Sequence, residues 1–280
     1  MLTVKYDNVN RELLEGVISL LKLRTGHEQR QLLEQISLED SYILYRNMYL
    51  RTDRSVVVTD SAQKELIAIG SYLKGMPFHA FSLHVVEGEE NYEVEPMLSY
   101  LKEVLDGSLP DGQKGVLALA EPLLTRVQIP NILATRTMYL MKLTDPERLL
   151  PVGESRILEL SEAQIVENMA AELGMISFRA EEVAEMPHIA LFSEGREPMA
   201  VAGFHVYDEA YVEIGNIGTS VYHRQKGLGT QISSDISRIG LAKSANVYLM
   251  VFADNPTAVH VYEKLGFVTV SSYAFIEFLF

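Results

Sequence analysis

The chain has no cysteine among its 280 residues, which excludes disulfides, thiolate metal sites and cysteine nucleophiles together. Its seven histidines are scattered, and no pair has metal-ligand spacing such as HExxH, so the sequence offers no basis for a metal site. No apolar run is long enough to cross a bilayer, and the opening MLTVKYDNVNRELLEG has neither the basic region nor the apolar stretch of a secretory signal. The expectation is a cytoplasmic protein with no membrane partner. Positive charge is also scarce: 24 Lys+Arg against 38 Asp+Glu give a formal net charge of −14. Such a surface repels nucleic-acid phosphates and is compatible with cationic ligands such as amines. Apolar residues, at 48%, are plentiful enough for a sizeable core and, at this length, for two domains.

The last third is the most readable. HIALFSEGREPMAVAGFHVYDEAYVEIGNIGTSV predicts three antiparallel strands near 188–193, 198–207 and 210–220, separated by the turn clusters SEGRE and YDEA. Leu228, Ile232, Ile236 and Ile239 recur at helical spacing and predict an amphipathic helix to about Ala245. VYLMVF reads as a buried strand. NPTAVHVYEKLGF opens a helix at Asn255-Pro256 and stops it at Gly266, and VTVSSYAFIEFLF is a final strand or strand pair. Upstream, SRILELSEAQIVENMAAELG predicts a strand and a helix with Ser161 as its N-cap.

In the first half, RELLEGVISLLKL predicts a helix, SVVVTD, KELIAIGSYL and PFHAFSLHVVEG predict strands, and VEPMLSYLKEVLDG predicts a helix ended by Gly107. GVLALAEPLLTRVQI and ATRTMYLMKL add strand, short helix and strand. The break TDPERLLPVGES, with two prolines and a glycine, reads as the linker. Both halves therefore run helix, antiparallel strands, helix, strand, short helix, strand. The fold class expected is α/β (α+β): a mixed, mostly antiparallel sheet flanked by helices, in two similar domains, residues 1–148 and 149–280.

Between the third of those strands and the amphipathic helix lies VYHRQKGLGTQI, residues 221–232. A loop that leaves a strand, turns through Gly227 and Gly229 and enters a helix presents unpaired amides at the positive end of the helix dipole. Glycine is needed there because a Cβ would hold phosphate oxygens away from the N–H groups, and because the turn can demand positive φ. The loop is neither a Walker A motif nor GxGxxG.

A second motif follows in DNPTAVHVYEKLGF, where Asn255, Ala258, Tyr262 and Gly266-Phe267 are set on a short helix after a strand. Together with VEIGNIGTSVYHRQKGLG it closely resembles the GNAT superfamily of acyl-coenzyme A dependent N-acetyltransferases, over roughly residues 155–280. The first half carries neither motif and resembles, in element order only, the degenerate N-terminal half of tandem members. The resemblance implies an N-acetyltransferase that moves an acetyl or short acyl group from acetyl-CoA to a primary amine in a ternary complex, without a metal.

It further implies that the backbone of Arg224, Gln225, Lys226, Gly227, Leu228, Gly229 and Thr230 holds the coenzyme A pyrophosphate. The preceding strand splays at a bulge near Gly215 and Asn216, so that pantetheine pairs along Ile217, Gly218 and Thr219. Arg224 and Lys226 either place charge near the phosphates or are solvated loop cations. Asn255 bonds the pantetheine amide, caps the helix, or does both, and Ala258 is small where the cofactor passes. His223 and His260 are read as exposed or structural.

Transfer to an amine requires the amine to lose a proton, the oxyanion to be stabilised and the departing thiolate to gain a proton. The resemblance makes Glu213 the candidate base, because its spacing ahead of Arg224 is similar to that of the catalytic glutamate in the lysine-acetylating branch of the family, and burial is expected to raise its pKa. His205 is the alternative, acting through water, but strand alternation sets it on the face opposite Phe204, the expected neighbour of Glu213. Tyr262 is the candidate acid toward the coenzyme sulfur. Two rivals stay open: a non-catalytic acyl-CoA binding or regulatory module, and a pseudo-enzyme that homodimerises through the apolar C-terminal strand. The acceptor, a small-molecule or peptide amine, is named by no motif.

Overall fold

The computed structural model describes residues 19–86, 88, 91–105, 112–175 and 178–280. The first part of the helix predicted over residues 11–23, up to residue 18, and the Gly107 stop lie outside these residues. The first half contains β1 (Ser19–Arg24), α1 (Gly26–Leu32), α2 (Tyr42–Leu50), β2 (Ser55–Ala62), β3 (Glu65–Leu73), β4 (His79–Val85), β5 (Tyr92–Glu93), α3 (Glu95–Val104), β6 (Lys114–Ala120), β7 (Val127–Gln128) and β8 (Ile132–Leu143). The second contains β9 (Arg156–Ile157), α4 (Ala163–Glu172), α5 (Glu182–Glu185), β10 (His188–Phe192), β11 (Pro198–Tyr207), β12 (Val212–Thr219), α6 (Leu228–Leu241), β13 (Val247–Phe252), α7 (Pro256–Lys264) and β14 (Phe267–Leu279). β5 and β7 pair apart from the rest. The other twelve strands form one sheet in the order β1-β2-β3-β4-β6-β14-β8-β13-β12-β11-β10-β9.

That order is nearly a palindrome. β1, β2, β3 and β4 are antiparallel neighbours and β4 then pairs β6 in parallel; β9, β10, β11 and β12 repeat the pattern and β12 pairs β13 in parallel. The fold class expected from the sequence is the one observed. At the centre, each half lends its last strand to the other: β8 pairs β13, and β14 pairs β6. β8 and β14 then pair with each other and close the sheet into one body. Both edges of β14 already hold strands of its own chain, so a second copy cannot add to it edge to edge. The core is shared too. One buried cluster joins Tyr42, Phe81 and Leu117 to Val206, Tyr211, Tyr248 and Phe278, and a second gathers Ile214, Ile232, Ile236, Tyr262 and Phe267 under α6 and α7.

Several local expectations change. Residues 19–24 are a strand, because SLLKLR covers the edge of β2 in a register from Ser19↔Ala62 to Arg24↔Val57; a short apolar run fits either period. α2 was not anticipated, since YILYRNMYL is apolar almost all round and rich in strand-favouring aromatics. α4 starts behind a tight turn at Leu160–Glu162, with Glu162 and not Ser161 as its N-cap; the Glu162 carboxylate accepts from the Glu159 amide at 3.1 Å. α6 ends at Leu241 rather than Ala245, and the tail is a single long strand. Among the described residues no helix is long and apolar enough to cross a membrane.

Candidate active site

β12 and β13 run in parallel only from Val212–Ile214 against Val247–Leu249, and then separate. The cause is local to β12. Between Val201↔Gly218 and Gly203↔Gly215, three steps of β12 match two of β11, and Asn216 takes up the extra residue at φ +51. The predicted bulge near Gly215 and Asn216 is therefore where the strand turns away. Beyond Ile214 the edge of β12 that faced β13 has no strand partner among the described residues, and a cleft of about 600 Å³ opens beside it.

The cleft is lined by Ile217, Gly218 and Thr219 of β12, by Arg224, Gln225, Gly227, Leu228, Gly229 and Thr230 of the loop and α6, and by Asn255, Ala258 and Tyr262 at α7. These are the residues the sequence motifs single out, with one exception: Lys226 is exposed and does not line the cleft. Gln225 and Gly227 both sit in the left-handed region, at φ +63 and +77, and Gly227 is the N-cap of α6 with no side chain capping it. A Cβ built on Gly227 would meet nothing within 4 Å, so it would project into open space in front of the first-turn amides. The α7 terminus is different, because Asn255 Oδ1 accepts from the Ala258 amide at 3.2 Å. An anion thus finds free donors at α6 and a capped end at α7. The loop fits the diphosphate of a coenzyme. In the first half, α3 opens with Glu95-Pro96, a carboxylate where α6 has bare amides.

Tyr262 is buried at the wall of this cleft, and its hydroxyl has no hydrogen-bond partner among the described residues. Burial alone pushes its pKa up to about 12.

A second chamber of about 560 Å³ lies on the other side of the splay and is lined by Arg46, Arg51, Glu182, His205, Glu213 and Asn216, among others. Glu213 is 1% exposed. Arg46 Nη1 donates to its two oxygens at 2.8 and 2.7 Å, Tyr42 Oη donates at 3.0 Å, and His205 Nδ1 lies 3.1 Å from Oε1. Burial by itself would raise the Glu213 carboxyl, but Arg46, then His205 and more distantly Arg51 outweigh it and hold the group well below the usual carboxylate range. The expectation of a raised Glu213 pKa is thus reversed, by a guanidinium from the other half of the chain.

The expectation about His205 is corrected as well. The cross-strand partner of Glu213 is Val206, and Phe204 faces Ile214, so His205 is the extra residue of a second bulge, this one in β11. The bulge breaks the alternation and turns the imidazole onto Glu213. Gly215 permits it, since a Cβ there would stand 2.3 Å from His205 Cε1. The ring continues into a chain of bonds: His205 Nε2 lies 3.1 Å from Asn216 Oδ1, Asn216 Nδ2 lies 3.3 Å from His188 Nε2, and His188 Nδ1 lies 3.0 Å from the Met186 carbonyl. Burial lowers His188 to about 4, so it is neutral and donates to Met186 while accepting from Asn216. That order leaves Asn216 Oδ1 to accept from His205. Glu213 and Tyr262 therefore serve different cavities, with the splayed strand between them. His260 is exposed.

Tyr42, Arg46 and Arg51 were not legible as site residues. They sit on or just after α2, which packs Tyr42 against the rings of Tyr211 and Tyr248 at 5.8 and 5.7 Å. Tyr42 and Arg46, one helical turn apart, then point at the same carboxylate.

Residues 157–267 match the model of the acetyltransferase (GNAT) family. The match takes in the splayed strand, the glycine loop and the helices on either side of the cleft. The whole chain has the fold of tandem members: a tandem GNAT protein from the clavulanic acid biosynthesis pathway superposes with a TM-score of 0.60 at 12% identity, covering 93% of this chain and 98% of the other. A Drosophila protein gives 0.65 at 14% identity over 94% and 99% of the two chains. A GCN5-related N-acetyltransferase-like protein from Streptococcus suis gives 0.58 at 14% over 91% and 100%. No curated protein sequence matches the chain significantly.

Proposed function

We propose that the protein transfers an acetyl or other short acyl group from acyl-coenzyme A to a primary amine by direct attack in a ternary complex. The observation that carries this reading is the cleft itself. A splayed strand edge, a left-handed glycine loop and an uncapped 14-residue helix converge on it, inside the region that matches the family. When bound, the coenzyme supplies a thioester carbonyl open to attack.

The loop amides from Arg224 to Thr230 bind the diphosphate, with Arg224 adding charge at the cleft wall. The free edge of β12 at Ile217, Gly218 and Thr219 pairs with the pantetheine arm and directs an amide at the carbonyl oxygen. Tyr262 keeps its proton throughout the physiological range and has no internal partner to compete for it, so it can donate to sulfur. A neutral amine nitrogen forms the C–N bond as the C–S bond breaks. One proton leaves the nitrogen toward the chamber carboxylates, and one reaches the sulfur from Tyr262.

Glu213 fits the base role poorly, because Arg46 holds it ionised and a weakly basic carboxylate is a reluctant proton acceptor. We assign it instead to positioning His205 and Arg46. Glu182, whose carboxyl burial raises, is the better acceptor. Tyr262→Phe is expected to lower turnover by about 10- to 100-fold while coenzyme A affinity stays nearly constant, measured by free-thiol release and by calorimetry. Unchanged turnover would remove Tyr262 from proton transfer.

One observation favours the rival reading of a non-catalytic acyl-CoA binding module: Glu213 and Tyr262 do not share a cavity. Thiol release across a panel of amines, run with acetyl-CoA saturating by thermal shift, separates the two. Binding without release for any amine would support the module.

A further inference from the structure

The chamber opposite the coenzyme cleft holds two charged groups of opposite sign that do not pair with each other. Arg51, just past the end of α2, is half-buried, and its one hydrogen bond among the described residues is a long one from Nη2 to the His205 carbonyl at 3.4 Å. Among the described residues no carboxylate lies within ion-pairing distance of it. Burial, then the like charges of Arg46 and Arg54, lower it to about 10, so it remains a cation. Its neighbours are committed elsewhere: Arg46 is bound to Glu213, and Arg54 donates twice to the Lys74 carbonyl, at 3.2 and 3.0 Å. Across the chamber, the Glu182 carboxylate on α5 accepts a long 3.5 Å bond from Asn216 Nδ2, the side chain at the splay, and a bond from the backbone of Arg179. Arg51 lowers the Glu182 carboxyl somewhat against the burial that raises it, so each lies within the other's field without forming an ion pair. Asp53, Glu181 and Glu185 line the same space.

A chamber built only for a cationic amine gains nothing from an unpaired guanidinium flanked by two more, which would repel the ammonium. A ligand with a carboxylate beside its amine resolves this, because its carboxylate meets Arg51 while its ammonium meets Glu182, next to the bulge where the coenzyme cleft begins. The geometry points to a free amino acid as the acyl acceptor, with Arg51 holding the acceptor's carboxylate and Glu182 its amine. This rests on the transferase reading above and narrows it. Glu182 first pairs with the ammonium and then takes the proton the nitrogen must lose before it attacks.

The test compares amino acids with their carboxamides and with the amines that lack the carboxyl carbon, in the free-thiol assay on the full chain. In parallel, calorimetry measures amino acid binding to the protein saturated with coenzyme A. The acids are expected to exceed the amides and plain amines by about 100-fold in kcat/KM, mainly through KM. In Arg51→Met the acid-to-amide ratio should collapse toward one, with Arg51→Lys intermediate, and coenzyme A affinity provides the check that both variants fold. Glu182→Gln should lower kcat for acids while a carboxylate-dependent binding signal persists. Turnover of plain amines as efficient as that of acids, insensitive to Arg51, would overturn the inference and leave the transferase reading standing. Arg51-dependent amino acid binding without turnover of any amine would sustain the ligand class and defeat the transferase reading. Absence of both amino acid binding and amino acid turnover would overturn the inference.

Discussion

Gly227→Val is expected to reduce coenzyme A affinity by at least about 100-fold, with the fold retained. Two effects act together. Gly227 stands at φ +77, where an L-residue costs about 1–2 kcal/mol and a β-branched one more, so the loop would relax away from the geometry that aims its amides. A side chain that keeps that geometry instead projects into the open space in front of the α6 amides, where the proposed diphosphate site lies. Either way the donors lose their ligand. Because the loop is exposed and a Cβ there touches no protein atom, the unfolding temperature should fall only slightly. Gly227→Ala should fall between valine and the wild type. Calorimetry with coenzyme A and a thermal melt without it read the two quantities separately, and undiminished affinity in the valine variant would remove the cradle from the mechanism.

Arg46→Met should be the most destabilising single change at the site, by about 3–5 kcal/mol, because it strands a buried carboxylate without its counter-charge. The pH dependence gives a sharper test. In the wild type the folded pKa of Glu213 lies below its unfolded value near 4.5, so the folded state binds fewer protons than the unfolded state through the acid range. The stability this group provides is complete above about pH 4.5 and is lost as pH falls toward the folded pKa. In Arg46→Met, burial acts on a carboxyl with its main stabilising charge removed, and the folded pKa rises. The contribution then reverses sign, and acidification should relieve the variant where it harms the wild type. Adding Glu213→Gln to Arg46→Met should recover much of the loss, since an amide pays no Born penalty. Urea unfolding across pH 3–7 for the four proteins measures the whole cycle. A variant with the wild-type slope would mean that Arg46 does not set the ionisation of Glu213.

How much of this was legible in the sequence differs from one residue to the next, and the reason is the range over which each feature is determined. The glycine loop, the strands at 198–207 and 247–252 and the helix opening at Asn255-Pro256 could be read directly. Each depends on a few consecutive residues: a backbone that needs positive φ, an alternating apolar pattern, a capping side chain with proline behind it. The lining of the coenzyme cleft follows, because the loop and both helices that frame it are set by such signals.

What only the tertiary structure decided was the state and partners of the reacting groups. Glu213 owes its charge state to Arg46, 167 positions away, and no local pattern pairs two residues at that distance. His205 reaches Glu213 because one extra residue in β11 shifts the period by a step, and a bulge is fixed by pairing across strands rather than by the sequence of one strand. β8 and β14 change halves for a similar reason, since an apolar strand needs partners on both edges and composition does not say which edges they are. The sequence by itself thus determined where a coenzyme could lie. The fold decided which charges face the acceptor, because ion pairs, bulges and exchanged strands arise from contacts between segments far apart in the chain.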